Sequence, residues 1–157
     1  MICCFAQLPL LESDLYRICE LCTHGRLQPS DVAWRPHQVA CTVVCAAQGY
    51  PDQPLQHSKC VDGLEQISHL GYGDALQVFH AGAKLAPMPV EAVFVSVGNG
   101  DPKRAATEDE AVVTSGGRVL AVTGIAGSLL DAVNIAYDGV KRISFSGMHY
   151  RTDIGKR

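Results

Sequence analysis

The chain has 157 residues and 47% of them are hydrophobic, which is the length and apolar content of one domain with a single core. A formal net charge of −3, without a dense lysine or arginine run, argues against a nucleic-acid partner. No apolar stretch approaches the roughly 18 to 20 residues of a membrane-spanning helix, and the first residues lack the basic region of a secretory signal. We therefore expect a soluble, cytoplasmic protein with no membrane partner.

The first predicted element is an amphipathic helix within residues 10–22. Its apolar residues recur at spacings of three and four: Leu11, Leu15, Ile18, Cys19 and Cys22. Ser13 or Asp14 can cap its start, and Gly25 is the type of residue that follows a helix end. This pattern predicts that the stripe, including both cysteines, packs inward.

Four segments have the composition of β-strands. Residues 39–47 are rich in β-branched side chains and apolar on both alternating faces, which is typical of a central strand covered on both sides. Residues 76–79 form a second short strand. Residues 111–114 and 118–123 are separated by a short glycine-containing connection, which predicts a hairpin.

A second helix is predicted after these strands. Ser128 and Asp131 match a capping box, and apolar residues follow at helical spacing: Leu130, Val133, Ala136, Tyr137 and Val140. The pattern predicts a helix of about three to four turns.

The seven cysteines are an odd number, spread through apolar segments, and we interpret them as reduced thiols. Cys19 and Cys22, followed by His24, invite a redox or zinc interpretation. A redox pair normally lies at a helix N-terminus, and structural zinc needs four ligands, whereas no second Cys/His pair has suitable spacing. Packing is therefore the favoured role, and a small thiol or metal module remains an alternative. Cys41 and Cys45 share strand parity and are expected in the core.

Five short motifs occur in a fixed order along the chain. They are Leu10-Leu11-Glu12-Ser13-Asp14-Leu15, Gln48-Gly49-Tyr50-Pro51, Val78-Phe79-His80-Ala81-Gly82, the segment from Val112 through Ser115-Gly116-Gly117-Arg118 to Gly124, and Tyr150-Arg151-Thr152-Asp153-Ile154-Gly155. Together they resemble the C-terminal part of glycinamide ribonucleotide synthetase, or phosphoribosylamine-glycine ligase, a family of ATP-grasp ligases.

The resemblance and the predicted elements both indicate an α+β fold, in which a small, mostly antiparallel sheet packs with two helices. The strands lie near Val43, Val78, Val113 and Leu120, and the helices near Ile18 and Val133. By resemblance this is the rudiment single hybrid-like C-terminal domain of an ATP-grasp ligase. Residues 10–157 then form this domain, and residues 1–9 are a divergent remnant of the preceding ATP-grasp domain.

The family needs only a short turn where this chain has residues 87–110, so these residues are an insertion. Its apolar run, residues 90–97, is either an extra edge strand or sequence foreign to the fold.

The resemblance implies a role in purine biosynthesis, where the ligase joins phosphoribosylamine to glycine through an acyl phosphate made from ATP. The family carries a magnesium-binding Glu-x-Asn pair before this region, but nothing like it precedes Leu8. We therefore expect no catalytic or metal residue and no cofactor in this chain, which alone is expected to be inactive. ATP and magnesium belong to the complete enzyme. The implied partners are phosphoribosylamine and the missing ATP-grasp domains. The alternative is a non-catalytic folded remnant or interaction domain without a ligand.

Arg118 follows Ser115, Gly116 and Gly117, and this pattern suits a phosphate. Glycines let the backbone approach a ligand, their N–H groups can point at an anion, and an arginine fork binds phosphate through two hydrogen bonds. The alternative is a plain turn with a solvated arginine. The resemblance favours a site for the sugar phosphate.

By resemblance, Lys84 assists this site and His80 lies near the sugar. The other isolated histidines, His57, His69 and His149, have no partner that the sequence can place beside them, so we assign them no role.

Overall fold

The computed structural model describes residues 3–53, 57–87 and 110–155. Within these ranges the regular elements, in chain order, are α1 (Cys3–Gln7), α2 (Leu15–Thr23), β1 (Val39–Ala46), β2 (Leu76–His80), β3 (Ala83–Pro87), β4 (Glu110–Thr114), β5 (Arg118–Ala126) and α3 (Leu129–Val140), together with short 3₁₀ helices. The predicted helices and strands are confirmed to within a few residues. The apolar run at residues 90–97 lies outside the described residues.

The main sheet has three antiparallel strands in the order β1-β5-β2. β5 is its central strand, and seven consecutive residues of β5 are buried. The prediction that the strand at residues 39–47 is central was wrong, because β1 lies at the edge of this sheet. The predicted coverage of both its faces is confirmed, because one face of β1 packs against α3 and α1 lies against the other.

The predicted hairpin at Ser115-Gly116-Gly117 was also wrong. β4 pairs with β3 in a separate two-stranded sheet, while both edges of β5 are occupied by β1 and β2. Pairing runs from Leu76↔Gly124 to His80↔Leu120 and resumes from Ala83↔Thr114 to Pro87↔Glu110. The segment β2–β3 therefore runs antiparallel to the segment β4–β5, and we call these two segments the arms. In the sequence, residues 88–109 connect the end of β3 to the start of β4.

The core lies between the main sheet and α3. Ser128 caps α3 by accepting a hydrogen bond from the Asp131 N–H at 3.2 Å, as predicted. Gly124 permits the close approach of sheet and helix, because a Cβ atom there would lie 2.2 Å from the Ala132 carbonyl oxygen. Leu130 lies in this helix, as predicted, and its first-turn side chain is 70% exposed. Cys41 and Cys45 are buried, as predicted.

α1 and the residues next to it lie against the opposite face of the sheet. The rings of Phe5 and Phe79 have centroids 5.3 Å apart, and the buried Thr123 hydroxyl donates to the Phe5 carbonyl at 2.9 Å. Although this segment falls within residues 1–9, it packs on the sheet of the domain.

α2 was predicted to cover the sheet, but its apolar stripe faces outward. Asp14 caps the helix, accepting from the Arg17 N–H at 2.9 Å, and the helix ends before Gly25, as predicted. No residue of α2 is buried, and Cys19 and Cys22 are both exposed. The inward packing predicted for these cysteines was therefore wrong, because α1 rather than α2 covers that face.

The described residues thus form the predicted α+β fold, with mostly antiparallel sheets and helices on both faces of the main one. None of the helices in these ranges has the length and apolar character that crossing a membrane requires.

Candidate functional site

Arg118 is the first residue of β5 and lies where the chain crosses from one sheet to the other. Two residues, 81 and 82, separate the paired regions on one arm, whereas five residues, 115–119, separate them on the other. The longer arm therefore forms a bulge, a device that redirects a strand and its side chains. This bulge contains most of the predicted site.

Backbone hydrogen bonds tie the two arms together at this bulge. The N–H groups of Ser115 and Gly116 both donate to the Gly82 carbonyl, at 2.7 and 3.1 Å, and the Gly82 N–H donates to the Arg118 carbonyl at 2.7 Å. Two of the three N–H groups expected to face an anion are therefore used inside the fold. Among the described residues, the Gly117 N–H and the Arg118 guanidinium have no acceptor.

Glycine is required where the arms touch. A Cβ atom on Gly82 would lie 2.6 Å from the Arg118 carbonyl oxygen and 2.8 Å from the Gly116 Cα atom. Real Cβ atoms do not approach other heavy atoms so closely, so a side chain at Gly82 would push the arms apart. Gly82 and Gly116, from two of the sequence motifs, thus form one backbone contact beside Arg118.

Tyr50 belongs to the site, although sequence reasoning did not single it out. The Ala47 N–H donates to the Gly117 carbonyl at 2.8 Å, and the Tyr50 N–H donates back to the Ala47 carbonyl at 3.2 Å. The Tyr50 ring covers Gly117 so closely that a Cβ atom there would lie 2.2 Å from the ring. The signal in the sequence was the motif Gln48-Gly49-Tyr50-Pro51. The residue that Tyr50 covers, Gly117, lies 67 positions further along the chain, so the sequence alone did not connect the two.

Lys84 and His80 lie near the bulge but belong to different sheets. Lys84 is in β3, opposite Val113 and two residues beyond Gly82, and His80 ends β2, opposite Leu120. Both side chains are exposed. In residues 3–53, 57–87 and 110–155, no hydrogen bond or ion pair joins the side chains of Arg118, Lys84 and His80. The fold brings the backbones of all three residues to the end of the main sheet where the chain crosses to the second sheet.

The electrostatics of this region suit an anion. The ion pairs found in the described part of the chain are Arg17–Glu20, Lys141–Asp138 and Arg151–Asp153, so no carboxylate there is paired with Arg118 or Lys84. In the same part of the chain, no three His, Cys, Asp or Glu side chains come together to hold a metal. Two unneutralised cations beside a glycine-rich backbone can bind a phosphate or carboxylate group.

The thiol of Cys45, which lies in β1 opposite Leu120, is not available as a nucleophile. Burial raises the pKa of the Cys45 thiol to about 12, so the thiol stays protonated at neutral pH.

Comparison with known proteins gives a consistent family. Residues 40–157 match the family described as phosphoribosylglycinamide synthetase, C domain. The chain is 37% identical over 150 residues to the bifunctional purine biosynthetic protein purD of Dictyostelium discoideum, covering 96% of this chain and 15% of that protein. It is 37% identical over 154 residues to the trifunctional purine biosynthetic protein adenosine-3 of Gallus gallus, covering 98% and 13%.

A shorter relative is the phosphoribosylamine-glycine ligase of a Nostoc strain, which is 36% identical over 151 residues, or 96% of this chain and 29% of that protein. The chain therefore spans less than a third of the length of these relatives. A crystal structure of phosphoribosylamine-glycine ligase from Thermotoga maritima is similar with a TM-score of 0.46 and 28% identity, over 73% of this chain and 21% of that one.

Proposed function

Because the chain belongs to the family of phosphoribosylglycinamide synthetase C domains, we propose that it is the substrate-side domain of a phosphoribosylamine-glycine ligase in purine biosynthesis, where it holds the phosphoribosyl group. The matched residues, 40–157, include the bulge and the main sheet except for Val39, the first residue of β1. The observation that carries the proposal is Arg118, whose guanidinium has no partner among the described residues and whose backbone carbonyl lies at a contact made of glycines.

The chemistry of a sugar phosphate fits this arrangement. The planar fork of Arg118 can donate two parallel hydrogen bonds to oxygens of the 5-phosphate, and the Gly117 N–H offers a third donor. Lys84 supplies a second positive charge for a group that carries nearly two negative charges, and His80 lies on the neighbouring strand toward the sugar. Ser115 and Gly116 contribute by holding the bulge against Gly82.

The proposal assigns the remaining parts of the reaction to other domains. The complete ligase requires ATP, magnesium and glycine, and the ATP-grasp domains are the implied partners of this chain. Magnesium needs several oxygen ligands, and the described residues hold no cluster of three metal-ligating side chains. We therefore assign the binding of magnesium and ATP to the ATP-grasp domains.

A second candidate is an interaction domain without a small-molecule ligand. It is favoured by the outward apolar stripe of α2, together with Trp34, which is 51% exposed. Exposed apolar side chains that lie close together mark protein contacts more often than ligand sites.

Titration of the chain with ribose 5-phosphate, followed by calorimetry or NMR, distinguishes the two candidates. A charge-assisted bidentate contact is worth about 1.5 to 3 kcal/mol, so Arg118→Ala should weaken binding by roughly ten-fold to over a hundred-fold. Arg118→Lys should recover part of the loss. Arg26→Ala, a change of an exposed arginine in a loop, is the matched control. Unchanged affinity in a folded Arg118→Ala variant, or no binding at tens of millimolar, contradicts the proposal.

A further inference from the structure

His149 lies beside the candidate site because it pairs with Ala46, the last residue of β1. The two residues exchange both backbone hydrogen bonds, each 2.9 Å long. In an antiparallel pair of this kind the Cα atoms are about 5.5 Å apart and the side chains project to the same face. The backbone of His149 therefore has a defined place at the edge of the main sheet.

Ala46 also pairs with Arg118 on its other side, next to an irregularity in the register. His149, Ala46 and Arg118 thus form a row across three neighbouring backbone segments. The Cα atoms of the outer two are about 10 to 11 Å apart, the sum of two cross-strand spacings. Ala46 has only a methyl group, so it does not obstruct the longer side chains on either side from converging above it.

A tight turn positions His149 before any ligand binds. The Met148 N–H donates to the Phe145 carbonyl at 3.0 Å, and Gly147 in this turn has a φ of 76°. A Cβ atom on Gly147 would lie 2.8 Å from the Cβ atom of Gln48, so the turn packs against the loop that also carries Tyr50. A donor held by such a turn loses little conformational entropy on binding.

No described residue engages the His149 side chain, so it can bind a ligand. Its side chain is exposed and has no hydrogen bond or ion pair among the described residues. Arg151, two residues further, is different, because its guanidinium is engaged by the Asp153 carboxylate at 2.7 and 2.9 Å. Within this part of the fold, His149 and Arg118 are the two basic side chains that flank Ala46.

We infer that His149 is a second anion-binding residue of this site, and that a phosphate monoester is held between His149 and Arg118 above the methyl group of Ala46. The inference rests on the proposed function and extends it to a residue outside the motifs. A neutral imidazole donates one N–H to a phosphate oxygen, while the guanidinium fork takes two others.

The test is an NMR titration of the full chain with ribose 5-phosphate. His149→Ala should weaken binding by about ten-fold or more, the effect of one hydrogen bond to a charged group. His69→Ala, which changes an equally exposed histidine on the 3₁₀ helix Leu64–Leu70, should leave the affinity unchanged. In the unmodified chain the ring C–H resonances of His149 should shift during the titration and those of His69 should not. Inorganic phosphate should compete with the sugar phosphate.

The possible results separate this inference from the proposed function. If Arg118→Ala weakens binding while His149→Ala does not and the His149 ring signals stay in place, the inference is overturned and the proposed function stands. If neither substitution changes binding, both are overturned. Failure of inorganic phosphate to compete would show that the group between the two residues is not the phosphate.

Discussion

The hydroxyl of Tyr137, on α3, accepts a hydrogen bond from the backbone N–H of Ile154 at 3.1 Å and donates one to the Arg151 carbonyl at 2.8 Å. This single side chain therefore attaches the motif at residues 150–155 to the helix that covers the main sheet. The motif ends at Gly155, where a Cβ atom would lie 2.5 Å from a methyl carbon of Val133 on the same helix.

Tyr137→Phe should lower the free energy of unfolding by about 1 to 2 kcal/mol, because it removes both hydrogen bonds and keeps the ring. Amide exchange at Ile154 should accelerate in the same variant. Tyr150→Phe is the control, since the Tyr150 ring lies 6.3 Å from that of Tyr137 but its hydroxyl bonds to no described residue. Equal stability of the two variants would contradict the role assigned to Tyr137.

Gly117→Ala should destabilise the fold by about 1 to 3 kcal/mol, because the added methyl group would lie 2.2 Å from the Tyr50 ring. Gly127→Ala is the control, since the nearest atom to its added Cβ would be 3.8 Å away. Urea denaturation measures both changes. In a double-mutant cycle, Tyr50→Ala should remove most of the cost of Gly117→Ala. Additive effects would show that the ring is not the obstacle.

Thr123→Val should cost about 1 to 2 kcal/mol of unfolding free energy, because the buried Thr123 hydroxyl bonds both the Thr42 hydroxyl at 2.7 Å and the Phe5 carbonyl at 2.9 Å. Thr123→Ser keeps this hydroxyl and is the matched control. We expect the serine variant to keep amide protection in α1 and the valine variant to lose it. A valine variant as stable as the unchanged chain would mean that these bonds contribute nothing.

The stability of the fold should fall in alkaline solution through its buried thiols. Burial raises the pKa of Cys45 from an ordinary 9.0 to about 12 and also raises that of Cys41. Below pH 9 both the folded and the unfolded chain keep these protons, so the contribution of the buried thiols to the free energy of unfolding is fully present. Between pH 9 and about 12 the Cys45 thiol ionises in the unfolded chain but not in the folded one, so the free energy of unfolding decreases. Cys45→Ala should flatten this decrease, whereas Cys22→Ala, at an exposed thiol, should leave the slope unchanged.

The sequence by itself determined the elements whose signals are local. Asp14 and Ser128 were identified as caps because a cap needs only a side-chain oxygen and an N–H group three residues further. The strands at residues 39–47 and 118–123 were predicted because runs of apolar, β-branched residues are typical of buried strands. The glycines and the arginine at residues 115–118 are visible without a fold, but it was the family resemblance that favoured a binding role for Arg118. The comparisons support the family, and the role of Arg118 remains a proposal.

Only the tertiary structure decided which strands pair and what lies beside Arg118. A glycine-containing connection has the same local pattern whether it closes a hairpin or crosses between sheets. Here β4 pairs with β3, whereas the prediction paired β4 with β5. The stripe of α2 has helical spacing whether or not another element covers it. Tyr50 and His149 are far from Arg118 in sequence, and the pairing of β1 with β5 brings them together. Such contacts depend on long-range register, and no local pattern carries that information.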